Sequence, residues 1–210
     1  MTGESPKKPA ARRALQAVGA LALPSLLLAG APGDTMVVHP GEGKAWILEW
    51  QGKSYPCAIG KHGVIPADAK REGDGCTPLG TFHLRCLYYR ADRLPKGKPA
   101  TGLQVTALSK DDGWCDAPGD PAYNHAVKLP FAPSHEELWR EKDALYDLIV
   151  PIGYNDEPVV PGRGSAIFLH IASPAYGPTA GCVAVSKEDL LEILTSVGPA
   201  SRITILAAKP

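Results

Sequence analysis

The stretch that most limits how this chain folds runs from residue 167 to residue 185. Two apolar runs flank a loop that is rich in proline and glycine. His170 stands near the end of the first run, and Cys182 comes directly before the second. Short apolar runs bounded by turn residues are typical of buried strands. We therefore predict two buried strands whose connecting loop brings the imidazole close to the thiol.

This pair is a candidate base and nucleophile, because a thiol reacts as its thiolate and a neighbouring base generates it. Gly181 leaves room for a carbonyl group to approach, and the N–H groups of Gly181 and Cys182 are candidate oxyanion donors. The alternative is a buried free cysteine beside a core histidine. A glycine and a Pro/Gly-rich loop are costly in a plain strand, which favours catalysis. A serine nucleophile, Ser165 or Ser173, lacks the nucleophile-elbow motif.

The composition favours a turn-rich, mostly β domain over a helical bundle. The 21 prolines and 22 glycines make up about a fifth of the 210 residues. This length suits one ordinary domain with an N-terminal extension. The formal net charge is zero, so nothing indicates a nucleic-acid-binding surface. No histidine has partners at metal-ligand spacing, and we expect neither a metal nor a cofactor.

Two short helices are expected within this β domain. Ser134 followed three residues later by Glu137 forms a capping-box pattern, which predicts a helix start. Ser186 begins the second helix, whose apolar face spans 190–197 and which Gly198 ends. Strands are predicted at 35–39, 45–50, 53–59, 81–90, 103–108, 145–152, 167–171, 183–185 and 202–207. The second and third of these strands are expected to form a hairpin.

Residues 1–31 are predicted to be an export signal or a membrane anchor, and residues 32–210 the folded domain. Basic residues end in Arg12 and Arg13, an apolar run follows over 14–29, and small residues offer a cleavage-like site. The run is short for a membrane-spanning helix, which needs about 20 apolar residues. We therefore expect an exported protein of the periplasm or cell envelope, with a disordered tail as the alternative.

The five cysteines are compatible with an exported domain. With Cys182 set aside as the nucleophile, Cys57, Cys76, Cys86 and Cys115 allow three full disulfide pairings. A bridge between Cys57 and Cys115 is our first choice. The alternative is that these cysteines are small buried hydrophobic residues.

Further candidate substrate contacts lie in the loops. Trp114 and Asp116 belong to an acidic cluster that would either meet a substrate amino group or form a turn over a core tryptophan. Arg163 would either bind a carboxylate through two hydrogen bonds or simply be solvated. Tyr176 and Thr179 are close to Cys182 in sequence and are candidates to line its groove.

These motifs together resemble the L,D-transpeptidase catalytic domain of the YkuD type, a family of bacterial cell-wall enzymes. The resemblance rests on the histidine, the loop and the Thr-Ala-Gly-Cys run at 179–182. It rests also on the Asp-Gly-Cys-Thr-Pro-Leu-Gly-Thr-Phe block at 74–82. The chain departs from the family pattern at Ala180, where the family often has histidine. It departs again at Ala184, where asparagine or arginine is common, so the contact to the substrate carboxylate has no obvious residue.

The resemblance implies a mostly β fold of β-sandwich or barrel-like form. It also implies acyl transfer on peptidoglycan stem peptides without a cofactor. His170 would take the proton, and Cys182 would attack the carbonyl between the L-centre of a diamino acid and a terminal D-Ala. A backbone carbonyl would orient the imidazole. An acceptor amine would resolve the thioester into a cross-link, whereas resolution by water would make the enzyme an L,D-carboxypeptidase. A non-catalytic wall-binding domain and a metal-binding protein are the remaining alternatives.

Overall fold

The computed structural model describes residues 1–3, 34–43 and 45–210. Apart from its first three residues, the predicted export signal or anchor over 1–31 lies outside this part of the chain. No helix within the described ranges combines the length and apolarity that a bilayer crossing needs.

Strands make up most of the regular structure of the described domain. The strands are β1 (Thr35–Pro40), β2 (Trp46–Trp50), β3 (Lys53–Cys57), β4 (Val64–Pro66), β5 (Thr77–His83), β6 (Cys86–Tyr89), β7 (Gln104–Ala107), β8 (Asp112–Cys115), β9 (Ala126–Lys128), β10 (His135–Glu137), β11 (Leu148–Pro151), β12 (Phe168–Ile171), β13 (Val183–Val185) and β14 (Arg202–Ile205). The one α-helix of the described residues is α1 (Lys187–Leu194), and a 3-10 turn covers Ala91–Arg93. With 36% strand and 6% helix, the fold is mostly β, as predicted.

The strands form three sheets. A six-stranded sheet has the order β3-β2-β1-β14-β5-β4, and a five-stranded sheet has the order β13-β12-β11-β6-β7. The third sheet, β10-β8-β9, is small. The first two are mixed, because β1 runs parallel to β14 and β12 runs parallel to β13.

The predicted hairpin is confirmed as β2 and β3, which pair antiparallel around Gln51 and Gly52. Both turn residues have positive φ, 47° and 77°, as a two-residue turn that matches the twist of the strands requires. The single strand predicted over 81–90 is wrong. The chain leaves the first sheet after β5 and enters the second as β6, because the Leu84 N–H bonds to Ser201 and the Arg85 N–H to Pro151.

The helix predicted to start at Ser134 is also wrong. Residues 135–137 form β10 and pair with β8, which places Glu136 opposite Trp114. The Ser134 carbonyl accepts a hydrogen bond from Asp116 N–H at 3.2 Å, so long-range pairing overrides the local capping pattern. The second helix is confirmed in its start, since Ser186 Oγ accepts the N–H of Asp189 at 3.0 Å. It ends at Leu194 and not at the predicted Gly198, because the N–H groups of residues 195–197 bond three residues back instead of four.

The predicted Cys57–Cys115 disulfide is wrong, because all five cysteines are free thiols. Cys57 belongs to β3 in the six-stranded sheet, and Cys115 belongs to β8 in the small sheet. Both side chains are buried, and burial raises the pKa of Cys57 to about 12. These two cysteines therefore act as small apolar residues of the core.

Side chains alternate between the two faces of β12, and each face packs into a different apolar cluster. Leu169 and Ile171 belong to the main core with β1, β2, β11 and α1. Phe168 belongs to a smaller cluster that also contains Tyr146 and Cys182. Because side chains of a strand alternate between its faces, His170 lies on the same face as Phe168, the face of Cys182.

We expect the main core to set the stability of the domain. Leu169 is fully buried, so Leu169→Ala removes apolar contacts and leaves a cavity. The substitution should lower the free energy of unfolding by about 2–5 kcal/mol, as measured by urea denaturation. Val160, which is 44% exposed, is the control site. A Val160→Ala loss as large as that of Leu169→Ala would contradict this assignment of the core.

Candidate active site

Cys182 is held at the edge of the five-stranded sheet by the strand that carries His170. The parallel register pairs Leu169 with Val183, so Cys182 is the neighbour of Phe168. The Phe168 N–H donates to Cys182 Sγ at 3.4 Å, and the thiol donates to the Ala166 carbonyl at 3.3 Å. The sulfur therefore has a fixed place beside the start of β12.

The orientation of His170 follows from one backbone contact. Its Nδ1 lies 2.8 Å from the carbonyl oxygen of Ile171. Because a carbonyl oxygen only accepts, Nδ1 carries the proton and Nε2 is left as the basic nitrogen. The ring of Tyr146 meets the imidazole edge-on at 5.4 Å between centroids and holds its other side.

Cys182 and His170 line one cleft of about 270 Å³, which we call the candidate cleft. The loop between them contributes Ser173, Thr179 and Ala180 to the same lining. Only 6% of Cys182 and 5% of His170 is exposed, so both side chains are largely covered at the cleft that they line.

Burial keeps both candidate catalytic groups uncharged. It raises the pKa of the Cys182 thiol to about 12 and lowers the pKa of the His170 imidazole to about 4. The hydrogen bond from the Phe168 N–H lowers the pKa of Cys182, but this effect is smaller than that of burial. At neutral pH the resting pair is therefore thiol and imidazole, and the nucleophile must be generated by proton transfer.

The turn before Cys182 is fixed by Thr179. Its hydroxyl donates to the Cys182 carbonyl at 2.7 Å and accepts the Gly181 N–H at 3.1 Å. For Gly181 to take its predicted oxyanion role, its N–H would have to leave the Thr179 hydroxyl and donate to the oxyanion instead. Gly181 has φ +143°, and a Cβ there would lie 2.9 Å from the carbonyl oxygen of Cys76. Glycine is therefore needed at this position.

A second segment, far away in sequence, braces the same loop. The Thr179 N–H donates to the Ile59 carbonyl at 2.9 Å, and the Thr179 carbonyl accepts the Lys61 N–H at 2.9 Å. Thr77 in β5 accepts the Gly60 N–H at 2.9 Å and lies 3.5 Å from the Cys182 carbonyl. The Thr-Pro-x-Gly block at 77–80 thus begins at the site.

A family model for the L,D-transpeptidase catalytic domain matches residues 34–205, which is most of the chain. The chain belongs to this family. Comparisons with curated proteins and with solved structures found no match. The family membership and the arrangement of the candidate cleft therefore carry the functional argument.

The structure brings only one of the other predicted contacts of this L,D-transpeptidase domain into the candidate cleft, namely Thr179. Tyr176 lines neighbouring grooves instead. Trp114 packs edge-on against Phe168 at 5.2 Å between ring centroids and lines a different pocket. Asp116 is not in the cleft lining, and the guanidinium of Arg163 binds the carbonyl of Asp68.

Two charged residues that sequence reasoning missed do line the cleft, Glu136 and Arg140. They form an ion pair with each other. The guanidinium carbon of Arg140 lies 3.9 Å above the ring of Tyr146. The predicted helix at 134 concealed both residues, because only the pairing of β10 with β8 turns this segment toward the cleft.

Gly181→Ala tests the geometry of the turn. The new methyl group would meet the Cys76 carbonyl at 2.9 Å, and positive φ is unfavourable for alanine. We expect a loss of about 2 kcal/mol or more in the free energy of unfolding, measured by urea denaturation. Gly119→Ala is the matched control, because a Cβ at Gly119 meets nothing within 4 Å. Equal stability of the two variants would contradict the described turn.

The buried neutral imidazole predicts a pH dependence of stability. The pKa of His170 falls from its ordinary 6.5 to about 4 in the folded chain. Above pH 6.5 neither state binds the proton, and between 6.5 and 4 only the unfolded state does. The free energy of unfolding should therefore fall by on the order of 3 kcal/mol across this window as the pH is lowered.

Urea denaturation at several pH values would check this prediction. In His170→Asn, the decrease in the free energy of unfolding that comes from this imidazole should be absent. His125, which is exposed, provides the control variant His125→Asn, and it should keep the wild-type slope. An unchanged slope in His170→Asn would show that the imidazole is not held neutral.

Proposed function

We propose that this L,D-transpeptidase-family protein is a cysteine-dependent acyltransferase that acts on peptidoglycan stem peptides. The observation that supports the proposal is the shared cleft, which both side chains line and in which Nε2 of His170 is left as the basic nitrogen. The export of the chain to the periplasm or cell envelope through residues 1–31 belongs to the same proposal, since its substrate is part of the wall.

In the first step, Nε2 of His170 accepts the thiol proton while Cys182 Sγ bonds to the carbonyl carbon before the terminal D-Ala. The backbone N–H of Cys182 is our candidate donor to the resulting oxyanion. The tetrahedral intermediate collapses, the C–N bond breaks, and the imidazolium returns its proton to the leaving amine of D-Ala. The product is a thioester on Cys182.

In the second step, an amine from another stem peptide attacks the thioester. His170 accepts a proton from this amine, and the thiolate leaves and is reprotonated by the imidazolium. The product is a cross-link between two stems. Because the resting pair is uncharged, proton transfer has to accompany attack on the bound carbonyl, so the free thiol is protected from side reactions.

Intact-mass measurement of the purified chain after incubation with a synthetic stem tetrapeptide tests the first step. We expect a covalent adduct with the mass of the peptide acyl group without D-Ala. Cys182→Ala should abolish the adduct. His170→Asn should slow its formation by roughly 100-fold or more, because the base is lost.

Cys86→Ala is the control variant, because Cys86 lies in β6 and is not part of the cleft lining. It should form the adduct at the wild-type rate. Adding an acceptor stem amine should convert the adduct into a cross-linked product, whereas release of free acid alone would indicate a carboxypeptidase. Wild-type protein that forms neither adduct nor product would refute the proposal and favour a wall-binding domain.

A further inference from the structure

The candidate cleft contains an ion pair that the proposed chemistry does not use. Glu136 and Arg140 are the charged residues of its lining, next to a histidine that burial keeps neutral. Their side chains are 32% and 30% exposed, so solvent and ligands reach both. At Ala184, which also lines the cleft, the methyl side chain cannot bind a substrate charge.

Arg140 is held close to the catalytic pair rather than free to move away. Its guanidinium stacks on Tyr146 at 3.9 Å, and Tyr146 contacts His170 at 5.4 Å between ring centroids. Its carbonyl oxygen accepts a 2.6 Å hydrogen bond from Arg90, which is buried and fixes the backbone here. A ligand group that binds Arg140 is thereby placed beside the base and the nucleophile.

The charges of this pair restrict which ligand it would accept. Arg140 contacts Glu136 and also Asp143, the latter at 3.3 Å. A ligand carboxylate that displaced Glu136 would leave that glutamate without its cation. A lone ammonium that took Glu136 from Arg140 would leave Arg140 with Asp143. A ligand that carries an ammonium and a carboxylate close together gives Glu136 a new cation and Arg140 a new anion. The two partly exposed side chains therefore match a zwitterionic group.

We propose that Glu136 and Arg140 form a specificity site for an amino-acid-like end, one carbon that carries both an ammonium and a carboxylate group. In a stem peptide, the side chain of the diamino acid presents such an end where its amino carbon also carries a free carboxylate. Glu136 binds the ammonium group and Arg140 binds the carboxylate. This inference rests on the proposed function, because it assigns the substrate selectivity of the same cleft.

The test varies the substrate first, so that it does not depend on the folding of any variant. Three tetrapeptides are offered to the wild-type chain: one with the intact zwitterionic side-chain end, one with its carboxylate amidated, and one without its amino group. Adduct formation on Cys182 is followed by intact mass over a range of peptide concentrations. Each altered peptide should react roughly 10- to 100-fold less efficiently, chiefly through a higher apparent KM.

The variants then assign the two charges. In Glu136→Gln the intact peptide and the peptide without the amino group should react equally. In Arg140→Gln the intact and amidated peptides should react equally, whereas Arg140→Lys should restore part of the preference. Glu141→Gln and Lys142→Gln are the controls, because these residues line the adjoining groove but not the cleft. Both controls should keep the wild-type preference.

Equal reaction of all three peptides with the wild-type chain would overturn the inference and leave the proposed acyl transfer intact. A peptide with an amidated D-Ala carboxylate provides a further check. If this change lowers the reaction of the wild-type chain but not that of Arg140→Gln, the inference would also be overturned, because Arg140 would then bind the leaving group. Absence of any adduct would refute the proposed function itself, and the specificity site with it.

Discussion

The parallel pairing of β12 with β13 is the interaction on which the candidate site depends. Its register places Cys182 beside Phe168, whose N–H bonds to the sulfur, and places His170 on the same face of the sheet. Side chains alternate along a strand, so a shift of one residue in β12 would turn His170 toward the main core. The many apolar contacts of Leu169 and Ile171 therefore also fix the chemistry of the neighbouring face.

The burial that fixes this geometry also determines the charge state of the pair. A thiol and an imidazole removed from water both favour their neutral forms, as the raised pKa of Cys182 and the lowered pKa of His170 reflect. Backbone groups supply hydrogen bonds to the sulfur and to one ring nitrogen in place of water. The Phe168 N–H supports the sulfur, and the Ile171 carbonyl assigns the proton to Nδ1 of the imidazole. At neutral pH the resting pair is therefore held as an uncharged thiol and an uncharged imidazole.

The surroundings of the pair come from segments that are distant in the chain. Thr77 of β5 and residues 58–61 brace the loop that carries Thr179, and β10 supplies Glu136. Local patterns predicted the hairpin and the helix that begins after Ser186, because these depend on turn conformation and capping within a few residues. They failed at Ser134 and at the end of β5, where hydrogen bonds to distant strands decided the outcome.

The sequence by itself determined the mostly β class through its composition and apolar pattern, and the family through motifs that resemble it. It also indicated Cys182 and His170 as candidate partners. Only the tertiary structure decided that Cys57 and Cys115 remain apart, and that Arg140 rather than Arg163 reaches the cleft. The oxyanion role of Gly181 and the export of the chain remain predictions. A side chain's neighbours across a sheet follow from strand order and register, which arise from packing of the whole domain and leave no mark in the local sequence.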